Sequence, residues 1–304
     1  VDADGTAALA QAYSQSQVTL TDRLEANLGA HLQHFALNGR TSVEPRASLR
    51  WALDPDQSLA LGYGLHSQLD ELSLYLSEQT VDGRTVQPNR DLDFSKAHHL
   101  TLAYQRRLGP QMRLVVEPYL QRLFDIPVVP GTSFSVVNFV TDYYLDDTFT
   151  NGGTGWNRGV DLTVERFLDR GYYWLATGSL SQSRYTGGDG VERNTRYSRG
   201  YVLDVLGGRE IRLGRGARER LLGLNGRFTA MGGERRHPPD VAASARVGEL
   251  VEDETRAFQD RYPAYLNLDF TVTWRTDRPA WSSEWALQLK NVLGRAQPEG
   301  YIYD

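Results

Sequence analysis

Residues 266–275 read Leu266-Asn267-Leu268-Asp269-Phe270-Thr271-Val272-Thr273-Trp274-Arg275. Apolar and polar side chains trade places at every step, which is the period-two signature of a β-strand with two unlike faces. The pattern recurs along the chain. Leu59, Leu61, Tyr63 and Leu65 alternate with Ala60, Gly62, Gly64 and His66, and Val160, Leu162 and Val164 interleave with Asp161, Thr163 and Glu165. Leu24, Ala26, Leu28, Ala30 and Leu32 likewise interleave with Glu25, Asn27, Gly29, His31 and Gln33. Alternation by itself also fits a soluble antiparallel sheet with one wetted face.

Strand length and the sorting of connections separate the two readings. Twelve strands are expected at 6–18, 24–37, 41–54, 57–77, 94–108, 111–127, 155–169, 172–186, 199–214, 218–236, 262–276 and 282–297. Most exceed the ordinary strand of about 5–6 residues and satisfy the roughly 9–11 that a tilted membrane-spanning strand requires. Tight turns are expected at Thr21-Asp22-Arg23, Asp54-Pro55-Asp56, Gly109-Pro110, Asp169-Arg170-Gly171, Gly214-Arg215-Gly216 and Asp277-Arg278-Pro279. Between them fall the polar stretches 78–93, 128–154, 187–198 and 237–261, and a short one at 38–40. Short turns at one end and long loops at the other describe an outer-membrane β-barrel, and a soluble sandwich has no reason to sort its loops. Trp51, Tyr104, Phe167, Tyr172, Tyr173, Trp174, Trp274, Trp281 and Trp285 cluster near the tight-turn ends, as an interfacial girdle would.

Composition narrows the function classes. The 304 residues carry 33 Lys and Arg against 38 Asp and Glu, a formal net charge of -5, with both signs interspersed, which argues against nucleic-acid binding. Cysteine is absent, so disulfides, Cys-ligated zinc and thiol chemistry are excluded together. No apolar run reaches the roughly 18 residues of a transmembrane helix. The chain starts at Val1 with no basic-then-apolar leader, and is expected to be a piece of a longer protein.

An ordered series of segments then carries a resemblance. It begins with residues 59–69 (LALGYGLHSQL), Asn89-Arg90-Asp91-Leu92 and Ser95-Lys96-Ala97-His98-His99, and continues with Glu117-Pro118-Tyr119-Leu120-Gln121 and Ile126-Pro127-Val128. Asn151-Gly152-Gly153, residues 155–163 (GWNRGVDLT), Glu165-Arg166-Phe167, Ser183-Arg184-Tyr185, Gly190, Gly232-Gly233 and Gln288-Leu289-Lys290-Asn291-Val292 follow. In this order they resemble the C-terminal barrel of TonB-dependent outer-membrane receptors, especially the Bacteroidetes-type branch with a carboxypeptidase-regulatory-like extension. The resemblance implies an all-β fold, an antiparallel meander of about 12 long strands forming part of a 22-stranded transmembrane barrel around a plugged lumen. It implies that residues 1–304 are a partial barrel lacking the plug, the first strands and the last strand. It further implies a Gram-negative outer membrane as location, TonB-dependent uptake of a siderophore, vitamin, oligosaccharide or peptide as function, and outer-membrane lipid, plug, TonB complex and solute as partners.

Candidate chemistry is sparse. Alternation forces Glu117, Asp161, Glu165, Arg227, Asp269 and Arg275 onto the lumen wall, because charge on the lipid face costs about 2–4 kcal/mol at the midplane. His98 and His99 are adjacent and face opposite ways, as do His31 and His34, and His66 sits on the face of small residues, so no metal site is expected. No Gly-x-Ser-x-Gly elbow or ordered catalytic set appears, and neither an enzyme activity nor a cofactor is expected. Gly187-Gly188-Asp189-Gly190 reads as loop punctuation. The candidate solute-binding segment is 138–150, where Phe139, Tyr143, Tyr144 and Phe149 interleave with Asp142, Asp146 and Asp147. Its aromatics supply stacking area and its carboxylates accept hydrogen bonds from hydroxyls or cations. Equally, such a loop folds over the barrel mouth and buries its own aromatics. A passive porin or adhesin barrel and a soluble β-rich binding module are the other functional readings, and the second predicts a repeat of about 40–50 residues that the chain lacks.

Overall fold

The computed structural model describes residues 5–139, 147–214 and 219–296. Twelve long strands form a single antiparallel sheet: β1 (Leu9–Thr21), β2 (Leu24–Phe35), β3 (Arg40–Asp54), β4 (Gln57–Gln68), β5 (Ser95–Arg107), β6 (Met112–Val128), β7 (Thr150–Asp169), β8 (Tyr172–Thr186), β9 (Tyr201–Arg212), β10 (Glu219–Met231), β11 (Tyr265–Arg278) and β12 (Trp281–Leu289). Each pairs only with its neighbours in sequence, apart from a three-residue strand at 192–194 that adds to β8. This is a pure meander.

The register converts alternation into two surfaces. One cross-strand row reads Leu114, Val164, Ala176, Val205, Phe228, Leu268. The next residue along each strand gives the opposite face: Val115, Thr163, Thr177, Asp204, Thr229, Asn267. The apolar surface is uncovered, with Val43 60% exposed, Leu162 45% and Leu180 63%. An uncovered apolar sheet of this extent is stable only against hydrocarbon. The polar surface carries the charges assigned to the lumen. Arg113 donates to Glu165 at 2.7 Å, and Arg227 grips Asp204 with Nε and Nη2, the latter at 2.6 Å.

The connections sort by end, as the sequence implies. Tight turns close β1–β2, β3–β4, β7–β8 and β11–β12, and the long connections 69–94, 129–149, 187–200 and 232–264 share the other end with the short 36–39. The β7–β8 turn places Arg170 and Gly171 at φ 50° and 81°, the left-handed pair of a mirror-type hairpin turn that matches the twist of the strands.

Several boundaries differ from expectation. The strand expected at 57–77 stops at Gln68, and Leu72–Leu76 forms a short helix, α1. The strand expected at 218–236 ends at Met231, and Arg235–Arg236 pairs separately with Asp260–Arg261. Asp277 and Arg278 remain in β11, so the last turn is Pro279-Ala280. The turn expected at Gly214-Arg215-Gly216 lies partly outside the described residues. Among the expected girdle aromatics, Phe167 stacks with the lumen-facing Arg113 and the Tyr173 hydroxyl donates to the Asn225 carbonyl oxygen, so both belong to the polar face. Trp51, Trp281 and Trp285 are uncovered on the apolar face.

Leu162→Arg, mid-strand on the apolar face, is expected to cost about 2–4 kcal/mol of stability in phospholipid vesicles, and Thr163→Arg far less. Urea denaturation followed by tryptophan fluorescence measures both. Equal costs would contradict the assignment of faces.

Candidate functional site

At the loop end the physics changes from periodic sheet to local packing. The connections 69–94 and 129–149 fold onto the strand ends and bury Phe35, Leu74, Tyr75, Leu92, Phe94 and Phe149 together. Phe35 and Tyr75 meet edge to face at 5.1 Å, and Phe134 meets Phe149 at 5.7 Å. The fully buried Asn89 ties the two loops. Its amide nitrogen donates to Ser77 Oγ and to the Asp147 carbonyl, both at 2.9 Å, and its carbonyl oxygen accepts from the Phe149 N–H at 2.8 Å. The connection 187–200 closes on 129–133, where Gly131 N–H donates to the Gly188 carbonyl at 3.0 Å. A Cβ on Gly188 would lie 1.9 Å from the Val129 carbonyl oxygen, so this approach admits only glycine.

Three cavities open around this packing. One of about 620 Å³ lies between α1 and β4–β5 and is lined by His66, Asp70, Ser95, His99, Val136 and Phe139. A second, of about 300 Å³, is lined by Phe139, Arg196, Arg235, Arg236, His237 and Phe258. Phe139 forms a wall of both. His66 and His99 pack ring to ring at 4.5 Å across adjacent strands and carry the first cavity down the inner wall into a third, also of about 620 Å³, which His31 and Arg46 line. Beneath them Glu44 is buried. It accepts from Gln33 at 2.6 Å, Ser67 at 2.5 Å and Arg46 at 2.9 Å, locking β2, β3 and β4 together, while His31 Nδ1 approaches at 3.2 Å without hydrogen-bond geometry.

The first two cavities differ in charge. In the first, burial pushes the Asp70 carboxyl up to about 6, against the lowering effect of the Ser95 hydroxyl that donates to it at 2.9 Å. Burial and the neighbouring Asp70 also raise the Tyr75 phenol. The second cavity gathers Arg196, Arg235 and Arg236 beside Glu252 and Glu254. Arg196 and Arg199 share Glu234 at 2.8 Å each, burial and the Arg261 guanidinium push Arg235 down to about 10, and burial lowers His237 although Glu252 stands 3.4 Å away. Such a mouth offers aromatic surface, imidazole donors and acceptors, and guanidinium forks to a polar or anionic solute.

Of the expected site residues, Phe139 lines two cavities, Asp147 is exposed and contributes its carbonyl to Asn89, and Asp142, Tyr143, Tyr144 and Asp146 lie outside the described residues. Phe149 is buried, as the alternative reading of this loop requires. His98 and His99 do face opposite ways: His98 stacks on Phe124, and His99 on His66. The His66–His99 pair, Asp70 and the arginine cavity escape sequence reading, because they converge from distant segments.

Fold and site together define the wall of an outer-membrane β-barrel with a receptor-like mouth. The family model for the TonB-dependent receptor-like β-barrel matches residues 2–292, and the chain belongs to that family. Its location is therefore the outer membrane of a Gram-negative cell. Solved structures share the fold at low identity. The ferric yersiniabactin uptake receptor from Yersinia pestis matches with a TM-score of 0.61 at 15% identity, over 95% of this chain and 41% of that one. The ferric preacinetobactin receptor from Acinetobacter baumannii gives 0.65 at 13%, over 96% and 40%, and an outer membrane transporter from Escherichia coli gives 0.65 at 11%, over 94% and 41%. The chain thus spans about two fifths of these proteins. Comparison with curated proteins finds no match.

A carboxyl raised by folding keeps a proton that the opened loop releases, so its packing is strongest below the ordinary carboxylate value and weakens as pH rises from about 4 to about 6. After correction for intrinsic rates, amide exchange in 69–94 is expected to be slower at pH 5 than at pH 7.5, by on the order of 1 kcal/mol of opening energy. Asp70→Asn should abolish that difference and protect the loop at pH 7.5. An unchanged pH response in this variant would remove Asp70 from the account.

Proposed function

We propose that this chain is the receptor wall of a transporter that carries a scarce solute across the outer membrane, driven by the TonB complex through a plug in the lumen. Residues 1–304 then form part of a 22-stranded barrel, and the open edges of β1 and β12 pair with its remaining strands. The Bacteroidetes-type branch is the proposed affiliation. The role is recognition and passage, with no covalent chemistry.

The observation that carries this reading is the pair of cavities sharing Phe139 at the loop end, continuous through His66 and His99 with the inner wall. A siderophore, vitamin, oligosaccharide or peptide would meet this mouth first, and Phe139, Asp147 and the neighbouring Asp142, Tyr143, Tyr144 and Asp146 are proposed to contact it. Among these classes an iron chelate is favoured. Two of the structurally similar proteins are receptors of ferric chelates, and Arg235, which has no ion-pair partner among the described residues, offers positive charge to an anionic complex.

The test is uptake of radioactive iron, supplied as a panel of ferric catecholates and hydroxamates, by cells whose only receptor is the parent protein. Uptake should cease on adding a protonophore, and Phe139→Ala with His99→Ala should lower it about tenfold, the loss of roughly one buried aromatic contact. Uptake that survives the protonophore would make the barrel a passive pore. Failure of every iron chelate beside uptake of cobalamin or a maltooligosaccharide would move the substrate class.

A further inference from the structure

The outward face of β6–β8 carries an arrangement that solute uptake does not use. Cross-strand register places Pro118, Val160 and Leu180 in one row, with Val160 36% and Leu180 63% exposed. Two residues nearer the loops, on the same face, the row is Leu120, Arg158, Gln182, and two further on it is Arg122, Trp156, Arg184. Each step is about 7 Å along the strand, so three guanidiniums stand within about 14 Å of membrane-facing leucine and valine. Exclusion from hydrocarbon therefore puts them at the headgroup level of the loop end, which is the outer leaflet.

These cations are not spent on carboxylates. Arg158 donates to Gln182 at 2.8 Å and lies over the Trp156 ring at 4.6 Å, while the Trp156 indole donates to Glu192 at 2.9 Å. Arg122 and Arg184 have no hydrogen bond or ion pair among the described residues. The nearby acid Asp125 is engaged by Lys96 at 3.0 Å. One row nearer the turns than Pro118, the same face reads Val116, Leu162, Gly178, Leu203, Ala230, Leu266 with no charge, so the arginines sit just above an uncharged apolar belt. A ring over a guanidinium, flanked by two unengaged guanidiniums at an interface, suits a phosphate group that sits on acyl chains.

We propose that the outward rim of β6–β8 binds a phosphate-bearing lipid headgroup of the outer leaflet, with Arg122, Arg158 and Arg184 as its cationic contacts and Trp156 as its interfacial anchor. The site lies on the outward rows of β6–β8, with Arg184 near enough to Arg235 of the mouth for the two guanidiniums to repel.

The test is binding of a fluorescent short-chain lipid A phosphate to the detergent-folded chain, with a phosphatidylcholine probe of equal chain length in parallel. The phosphorylated probe is expected to bind preferentially, and raised salt to weaken it. The triple variant Arg122→Gln, Arg158→Gln and Arg184→Gln should lose at least about tenfold in affinity, the triple Arg→Lys variant should keep most of it, and Arg209→Gln at the turn end should leave it unchanged. Arg122→Gln alone, which breaks no hydrogen bond or ion pair among the described residues, should weaken binding and keeps the test open if the triple variant does not fold. Equal binding of both probes, or full binding by Arg122→Gln and the triple variant, would overturn the proposal. Displacement by millimolar inorganic phosphate would show an anion site without lipid and would overturn it too.

Discussion

Every backbone N–H and C=O in a hydrocarbon layer needs a partner within the protein, since nothing else there can supply one. The twelve-strand meander follows from that constraint. Strands of 12–20 residues such as β4 and β7 carry the ladder across the apolar region, and continuous pairing fixes the register from β1 to β12. Once register is fixed, side chains have no freedom of face. Arg227 meets Asp204 on the inner wall because neither can occupy the outer one. Exposed ion pairs contribute little to stability, so exclusion explains this placement better than attraction does.

At the loop end the chain is released from the bilayer and behaves as a soluble protein does. Phe35, at the last position of β2, turns from wall residue into core residue when Tyr75 packs on it. The buried Asn89 amide bonds Ser77 within its own loop and Asp147 and Phe149 in the next, so the loops are held by directed bonds as well as apolar contact. That rigidity places Phe139 between two cavities and keeps Asp70 and the His66–His99 pair beside one of them. The described part of the mouth, held in this way, is formed before a solute arrives, which lowers the entropic cost of capture.

The alternation that reveals the strands also explains where reading the sequence fails. Leu72-Ser73-Leu74-Tyr75-Leu76 alternates as well as any strand, yet it forms α1, because burial of Leu74 and Tyr75 under the mouth outweighs a pattern five residues long. Phe167 and Tyr173 read as girdle residues from their position near a turn. The register shift between Tyr172 and Trp174, and the Arg113 guanidinium opposite Phe167, are tertiary facts that put them on the inner face. His98 and His99 are legible as opposite-facing from adjacency alone, but the partner of His99 is His66, set by cross-strand register between β4 and β5. The wall is a local code; the site is a meeting of segments distant in sequence.

The inner face itself decides between a membrane wall and half of a soluble sandwich. Glu117 and Asp161 stand directly opposite one another across β6 and β7, and neither has an ion-pair partner among the described residues. Facing like charges destabilise a sheet unless water screens them, so this surface is wet. Thr163, Thr177, Asp204 and Asn267, in the neighbouring row of the same face, continue this polar character. A sandwich would have to bury one face of this sheet in a dry core, and the only apolar face is the one left uncovered. An apolar outside and a hydrated inside are consistent with a single environment, a barrel wall with lipid behind it and an aqueous lumen in front.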